Sequence, residues 1–207
     1  MNLEPVTILD EDMRISAEKL QRMTLQEQAR ELDRLLYKYT DKESKWKGAI
    51  VEVGRAELPE SRGRKLWCCS ILVRDDADIK TKIHELLHAR SFSHKTELAY
   101  TRWKCSEEAA VEMFAREICN RNEVSYKPAY SYEVKQLTIA KNILFPDVGA
   151  YDFAKYFFEK DMLERYDWLR TQANLLIARN ILSPQNVAAL NTAVDTFRRL
   201  LINENSR

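Results

Sequence analysis

Histidine is nearly absent from this chain. There are three in 207 residues, at positions 84, 88 and 94, so any site built on imidazole must lie in one eleven-residue stretch. Glycine and proline are scarce too, with four and five copies. That scarcity argues against long disordered linkers and against a β-rich fold, which needs frequent turn residues. No apolar run approaches membrane-spanning length. The first residues, MNLEPVTILDEDMR, are acidic and lack the apolar core of a secretion signal, so the expected location is cytoplasmic. A formal net charge of +1 gives no bulk electrostatic case for binding nucleic acid or a membrane surface. Four cysteines occur, at 68, 69, 105 and 119, with no C-x-x-C pair, which speaks against a cysteine-rich metal site. They are expected to be reduced and mostly buried, with Cys68 and Cys69 on opposite faces of a strand.

What is present is ordinary for a folded domain: 45% hydrophobic and 31% charged residues. Thr24-Leu25-Gln26-Glu27 reads as a capping box, and Leu25, Ala29, Leu32 and Leu36 follow at helical spacing, predicting an amphipathic helix over about 25–39. Ala49–Val53 is a short β-rich run. Residues 57–63 are turn-like, and Leu66–Val73 is a second strand candidate, expected to be buried at Leu66, Trp67, Ile71, Leu72 and Val73. An Asp in 75–78 should cap a helix over about 77–90. A strand placed just before that helix can lie beside a cleft, where a peptide could add to the sheet by backbone pairing. Residues 91–104 read as a connection, and Ser106 as the cap of a helix over about 107–120. Helices are predicted over about 132–145, 152–163, 166–180 and 184–203, the last with Pro184 at its first position. The aromatic group Tyr151, Phe153, Tyr156, Phe157 and Phe158 is expected to be core. The fold class is therefore α+β, predominantly helical.

His84-Glu85-Leu86-Leu87-His88 is an H-E-x-x-H sequence. On a helix, residues i and i+4 lie one turn apart on one face, so two imidazoles can grip one metal ion. The intervening Glu85 can reach a metal-activated water as general base. A catalytic zinc usually takes three protein ligands, and two residues qualify as the third. His94 fits the longer pattern H-E-x-x-H-x-x-G-x-x-H, except that Ser91 stands where that pattern needs Gly to leave the helix sharply. Glu108 lies twenty residues after His88, on the next helix. A helical hairpin would bring it against the two imidazoles, with Glu112 one turn on, able to fix the tautomer of a ligand imidazole. Glu108 is the favoured ligand and His94 the alternative. The acidic cluster Glu107, Glu108 and Glu112 also reads simply as the first turns of a helix, favourable to its dipole.

His84-Glu85-x-x-His88 followed by Glu108-Ala109-x-x-Glu112 resembles the thermolysin-like gluzincins, whose second motif is N-E-x-x-x-D. Glu107 stands in the Asn position and Glu112 in that of the Asp. The helix is also similar to the compact ImmA/IrrE-type peptidases of phages and mobile elements, through Glu108-Ala109 and Phe114-Ala115. The resemblance covers about 79–118. It implies a minimal zincin-like core, a small sheet plus an active-site helix and a glutamate helix, over 1–127. A helical C-terminal subdomain, 128–207, would pack on it. It further implies one Zn²⁺ per chain on His84, His88 and Glu108, with Glu85 as general base and a protein or peptide as substrate. The oxyanion-stabilising group would be a Tyr or an Arg, with Tyr100 first and Tyr130 and Tyr132 as other candidates. The competing expectation is a non-catalytic zincin-like binding or assembly module that keeps the metal.

Overall fold

The computed structural model describes residues 14–91 and 96–198. Among them are eight helices and a three-stranded sheet, which gives the expected predominantly helical α+β architecture. His94 lies outside the described residues, as does the end of the last predicted helix beyond 198.

After a short α1 (Ala17–Gln21), α2 (Leu25–Leu36) begins at the predicted capping box. Thr24 Oγ1 accepts from the Glu27 amide and the Glu27 carboxylate accepts from the Thr24 amide. Two orphan donors of the first turn are thereby satisfied. Ala29, Leu32, Leu35 and Leu36 are buried on one face of α2.

The sheet has the order β1–β3–β2, with β1 (Ile50–Val53) parallel and β2 (Gly63–Lys65) antiparallel to β3 (Ile71–Arg74). Here the structure corrects the sequence reading. Residues 66–73 are not one strand. Leu66 N donates to Ser70 O (2.8 Å) and Cys69 N to Leu66 O (2.8 Å), so the chain reverses there, with Cys69 in the left-handed region at φ 61°. Cys68 and Cys69 therefore sit in a hairpin turn rather than on opposite faces of a strand. Of the four cysteines only Cys119 is buried. Trp67 is 51% exposed rather than buried, because it belongs to that turn. The strand beside the cleft is also not the one leading into the helix that carries His84 and His88. That strand, β3, is central, and the edge belongs to β2.

α3 (Ile79–Ser91) follows β3, with Asp78 Oδ1 accepting from the Thr81 amide at 2.8 Å as the predicted cap. It is buried on nearly every side, since the sheet, α2 and α4 all pack on it. α4 (Glu97–Arg121) is longer than expected. Residues 97–104, read as a connection, are helical, and Trp103 (φ −115°, ψ 15°) marks a kink. Ser106 is thus a buried mid-helix residue, not a cap, and the helix-dipole account of Glu107 and Glu108 loses its basis. Contacts run from Lys80–Glu112 through His84–Glu108 to Ser91–Glu107, so α3 and α4 are antiparallel.

The remaining helices are α5 (Ser131–Leu144), α6 (Ala150–Glu159), α7 (Met162–Ala178) and α8 (Pro184–Asp195). α6 packs on α4, and α8 on α5 and α7. Phe153, Phe157 and Phe158 are buried as expected, while Tyr156 is 45% exposed. One apolar cluster contains Leu32, Ile83 and Phe114 together with Leu137, Phe157 and Leu190. Residues after 128 thus share the core with those before it. Each such side chain contributes about 1.5–3 kcal/mol on full burial.

Candidate metal centre

α3 presents His84 and His88 one turn apart, ring centroids 4.7 Å apart and nearly perpendicular. α4 sets Glu108 opposite them. His84 Nε2 and His88 Nε2 are 3.1 Å apart, and Glu108 Oε2 lies 3.2 and 3.1 Å from them. Among the described residues this is the group that can hold a metal ion.

The other nitrogen of each ring explains why. His84 Nδ1 faces Glu112 Oε2 at 3.0 Å, and His88 Nδ1 faces Glu107 Oε1 at 3.0 Å. A carboxylate accepts only, so each Nδ1 carries a proton and donates it. In the neutral tautomer each Nε2 then offers a lone pair. Two lone pairs and a carboxylate oxygen then converge within 3.2 Å, where a shared cation would satisfy all three. The donor set of two imidazoles and one carboxylate fits a divalent cation with open positions.

Both carboxylate partners are anchored. Glu112 receives Lys80 Nζ (2.9 Å), Arg116 Nε (2.9 Å) and the Ala129 amide (2.9 Å). Glu107 receives Arg165 Nη1 (2.6 Å) and Ser91 Oγ (2.8 Å). Arg165 is itself fully buried, and its Nε and Nη2 donate to the carbonyls of Phe157 and Phe158 at the end of α6. Burial opposes charge on His88, but Glu108 and Glu107 outweigh it and hold its pKa up at about 10. The His84 pKa is raised in the same way, by Glu108 and Glu112 against burial. Burial also works against the Glu108 carboxylate, yet the two imidazoles hold it well below the usual range. Glu112 is held at about 2, with His84 and Lys80 outweighing burial.

Glu85 lies on the cleft side. Its Oε2 accepts the Lys65 amide of β2 at 2.7 Å. Burial raises its pKa, partly opposed by His84 and His88. A cleft of about 490 Å³ opens here between β2 and the first turns of α4, lined by Glu85, His88, Glu108 and Tyr100. A second recess of about 300 Å³ shares Glu85 and Tyr130 with it.

The tyrosines separate. The Tyr100 hydroxyl donates to Glu108 Oε1, the oxygen that does not face the imidazoles, and its ring lies 6.4 Å from that of His88. Tyr130 stacks on His84, rings 5.6 Å apart and 9° from parallel. Its backbone is left-handed (φ 46°), a conformation uncommon outside glycine and held here by the neighbouring Ala129, whose amide and carbonyl are bound by Glu112 and Arg116. Tyr132 is 59% exposed and lines neither recess.

Of the residues singled out in the sequence, the structure brings together His84, Glu85, His88, Glu108, Glu112, Tyr100 and Tyr130. Five side chains were not foreseen in these roles. Lys80, Arg116 and Arg165 anchor carboxylates, Ser91 donates to Glu107, and Glu107 itself holds His88. The one available signal was Glu107 in the position that the gluzincin motif gives to Asn. Arg165 carries none, being 58 residues from its partner.

Comparison with protein-family models, with curated proteins and with solved structures finds no match to this chain. No helix among the described residues is long and apolar enough to cross a membrane.

Proposed function

We propose that this chain is a zinc-dependent peptidase of gluzincin type. The observation that carries the reading is the convergence of His84, His88 and Glu108 with Glu85 beside them on an open cleft. The spacing of the donor atoms favours zinc. Ligand bonds of about 2.0–2.1 Å in a tetrahedron put ligand atoms about 3.3–3.4 Å apart, close to the 3.1–3.2 Å separations here. Magnesium and calcium prefer all-oxygen ligand sets. When bound, zinc polarises the scissile carbonyl and acidifies water.

Glu85 takes the proton of the attacking water on its carboxylate and passes it to the leaving amine. Burial, which raises its pKa, makes it a stronger base toward that proton than an exposed glutamate. Tyr100 steadies Glu108. Tyr130, which lines both recesses, is the tyrosine best placed to donate to a developing oxyanion. A peptide substrate can pair with part of β2. Arg62 and Leu66 are bonded across to Arg74 and Ser70, so Arg64 pairs with Leu72 in the same way and Gly63 and Lys65 turn their backbone groups to the outer edge. There the Lys65 amide is held by Glu85, and the backbone of Gly63 and the Lys65 carbonyl are left for the substrate.

The purified protein is expected to hold about one zinc per chain, as in a mononuclear catalytic site. Glu85→Gln is expected to keep that zinc and lose about 10²–10⁴-fold in hydrolysis rate. An unchanged rate sinks the mechanism. The engagement of Tyr100 with Glu108 favours one rival, a zincin-like binding or assembly module that keeps the metal and does no hydrolysis. Full zinc occupancy with no cleavage across a broad peptide library would select it.

A further inference from the structure

Gly63 stands apart from the other three glycines. Gly48 adopts φ +79° and has open space around it. A Cβ at Gly54 or Gly149 would meet the carboxylate of a flexible side chain in its own turn, Glu57 Oε2 at 3.0 Å or Asp152 Oδ2 at 3.1 Å. Gly63 has no left-handed φ to explain it. A Cβ there would lie 2.8 Å from Glu85 Cγ, 2.8 Å from Glu85 Oε1 and 2.9 Å from Thr81 Cγ2. All three atoms belong to α3 and both side chains are buried, so a Cβ at 63 requires the strand or these side chains to shift. Glycine at 63 answers a need for space, not for conformation.

What that space allows is visible two residues on. The Lys65 amide reaches Glu85 Oε2 at 2.7 Å only because β2 lies directly on this part of α3. The strand meets one carboxylate twice, by a hydrogen bond to one oxygen and by bare backbone against the other. We infer that Gly63 is a positioning residue for Glu85: its missing side chain sets the height of β2 over α3, and so fixes the carboxylate between the strand and the metal ligands. This role in catalysis rests on the peptidase reading above, while the packing claim does not.

In the zinc-loaded protein, Gly63→Ala is expected to keep the metal and to lower kcat by about 10–100-fold, the effect of a roughly 1 Å misplacement of a catalytic group. In a Glu85→Gln background the same substitution should cost little more, because the group it positions has been disabled. A full multiplicative loss in that background would show that Gly63 acts on the substrate groove instead, and would overturn the inference. An activity-independent readout is amide hydrogen exchange at Lys65, where Gly63→Ala is expected to lower protection at least about tenfold, the loss of about 1.4 kcal/mol of local bonding. Unchanged protection overturns the inference even if activity falls. If no peptide is cleaved by the parent protein, the peptidase reading fails and the Lys65 amide still decides the packing claim. Should Gly63→Ala fold poorly, Gly63→Ala/Glu85→Asp withdraws the carboxylate by one methylene. It should be more stable than Gly63→Ala alone, and equal or lower stability also overturns the inference.

Discussion

The two imidazoles of the candidate metal centre are held by the same device and supported in opposite ways. Each gives Nδ1–H to a buried glutamate at 3.0 Å. On the His84 side, Glu112 is fixed by Lys80 from α3, Arg116 from its own helix and the Ala129 amide. On the His88 side, Glu107 depends on Arg165 from α7, with Ser91 as the lesser donor. One half of the site is assembled from residues 80–129. The other is completed only when the C-terminal helices have docked. The lesson concerns those helices: through Glu107 they hold the His88 imidazole in its tautomer.

That asymmetry can be broken from either side. The largest effect is expected from Arg165→Met, which takes a buried guanidinium away from buried Glu107. Removing one member of a buried pair costs about 3–5 kcal/mol, and loss of such outer support lowers metal affinity about 10–100-fold. Denaturant unfolding and competitive zinc titration would measure both. Lys80→Met removes two charged hydrogen bonds to Glu112 from one ammonium; it should cost less than Arg165→Met, about 3 kcal/mol, because Arg116 and the Ala129 amide remain on Glu112. Equal losses for the two variants would remove the asymmetry.

A third expectation concerns pH. With no ion bound, Glu108 and Glu107 hold His88 at a pKa of about 10 despite its burial, so the ring is protonated at neutrality. Metal binding needs it neutral and must release that proton. Zinc affinity should therefore rise with pH up to about 10 and fall on acidification, by about 1.4 kcal/mol per unit for each proton released. Calorimetry in buffers of different ionisation enthalpy counts the protons, and a count of zero would contradict the raised pKa. The smallest effect should come from Ser91→Ala, about 1 kcal/mol for a single hydrogen bond, since Arg165 stays on Glu107.

The sequence was most readable where chemistry and local geometry coincide. H-E-x-x-H on a capped helix needs only the helical repeat to place both imidazoles, and Thr24 and Asp78 cap their helices through contacts three residues long. Glu108 and Glu112 were readable because their spacing matches the opposing helix. Glu107 was harder, since two adjacent glutamates look alike in a solvated first turn and in a buried metal site. Only the helical continuation through 97–104 separates the cases. The hairpin at 66–70 was hidden by hydrophobic residues that suggest a strand, while Cys69 turns the chain in the left-handed region without a glycine. Arg165 was out of reach, because no local pattern marks an arginine whose partner is on another helix.

The short β2 edge has a consequence for how the protein behaves in a crowd. An exposed strand edge is a template on which other chains can pair and aggregate. This one is three residues long, and its Lys65 amide is already taken by Glu85. What stays open for pairing is the backbone of Gly63 and the Lys65 carbonyl, beside the Glu85 side chain. The residue proposed to handle the proton therefore also shortens the edge, leaving room for a brief pairing in the cleft and none for a long unrelated strand.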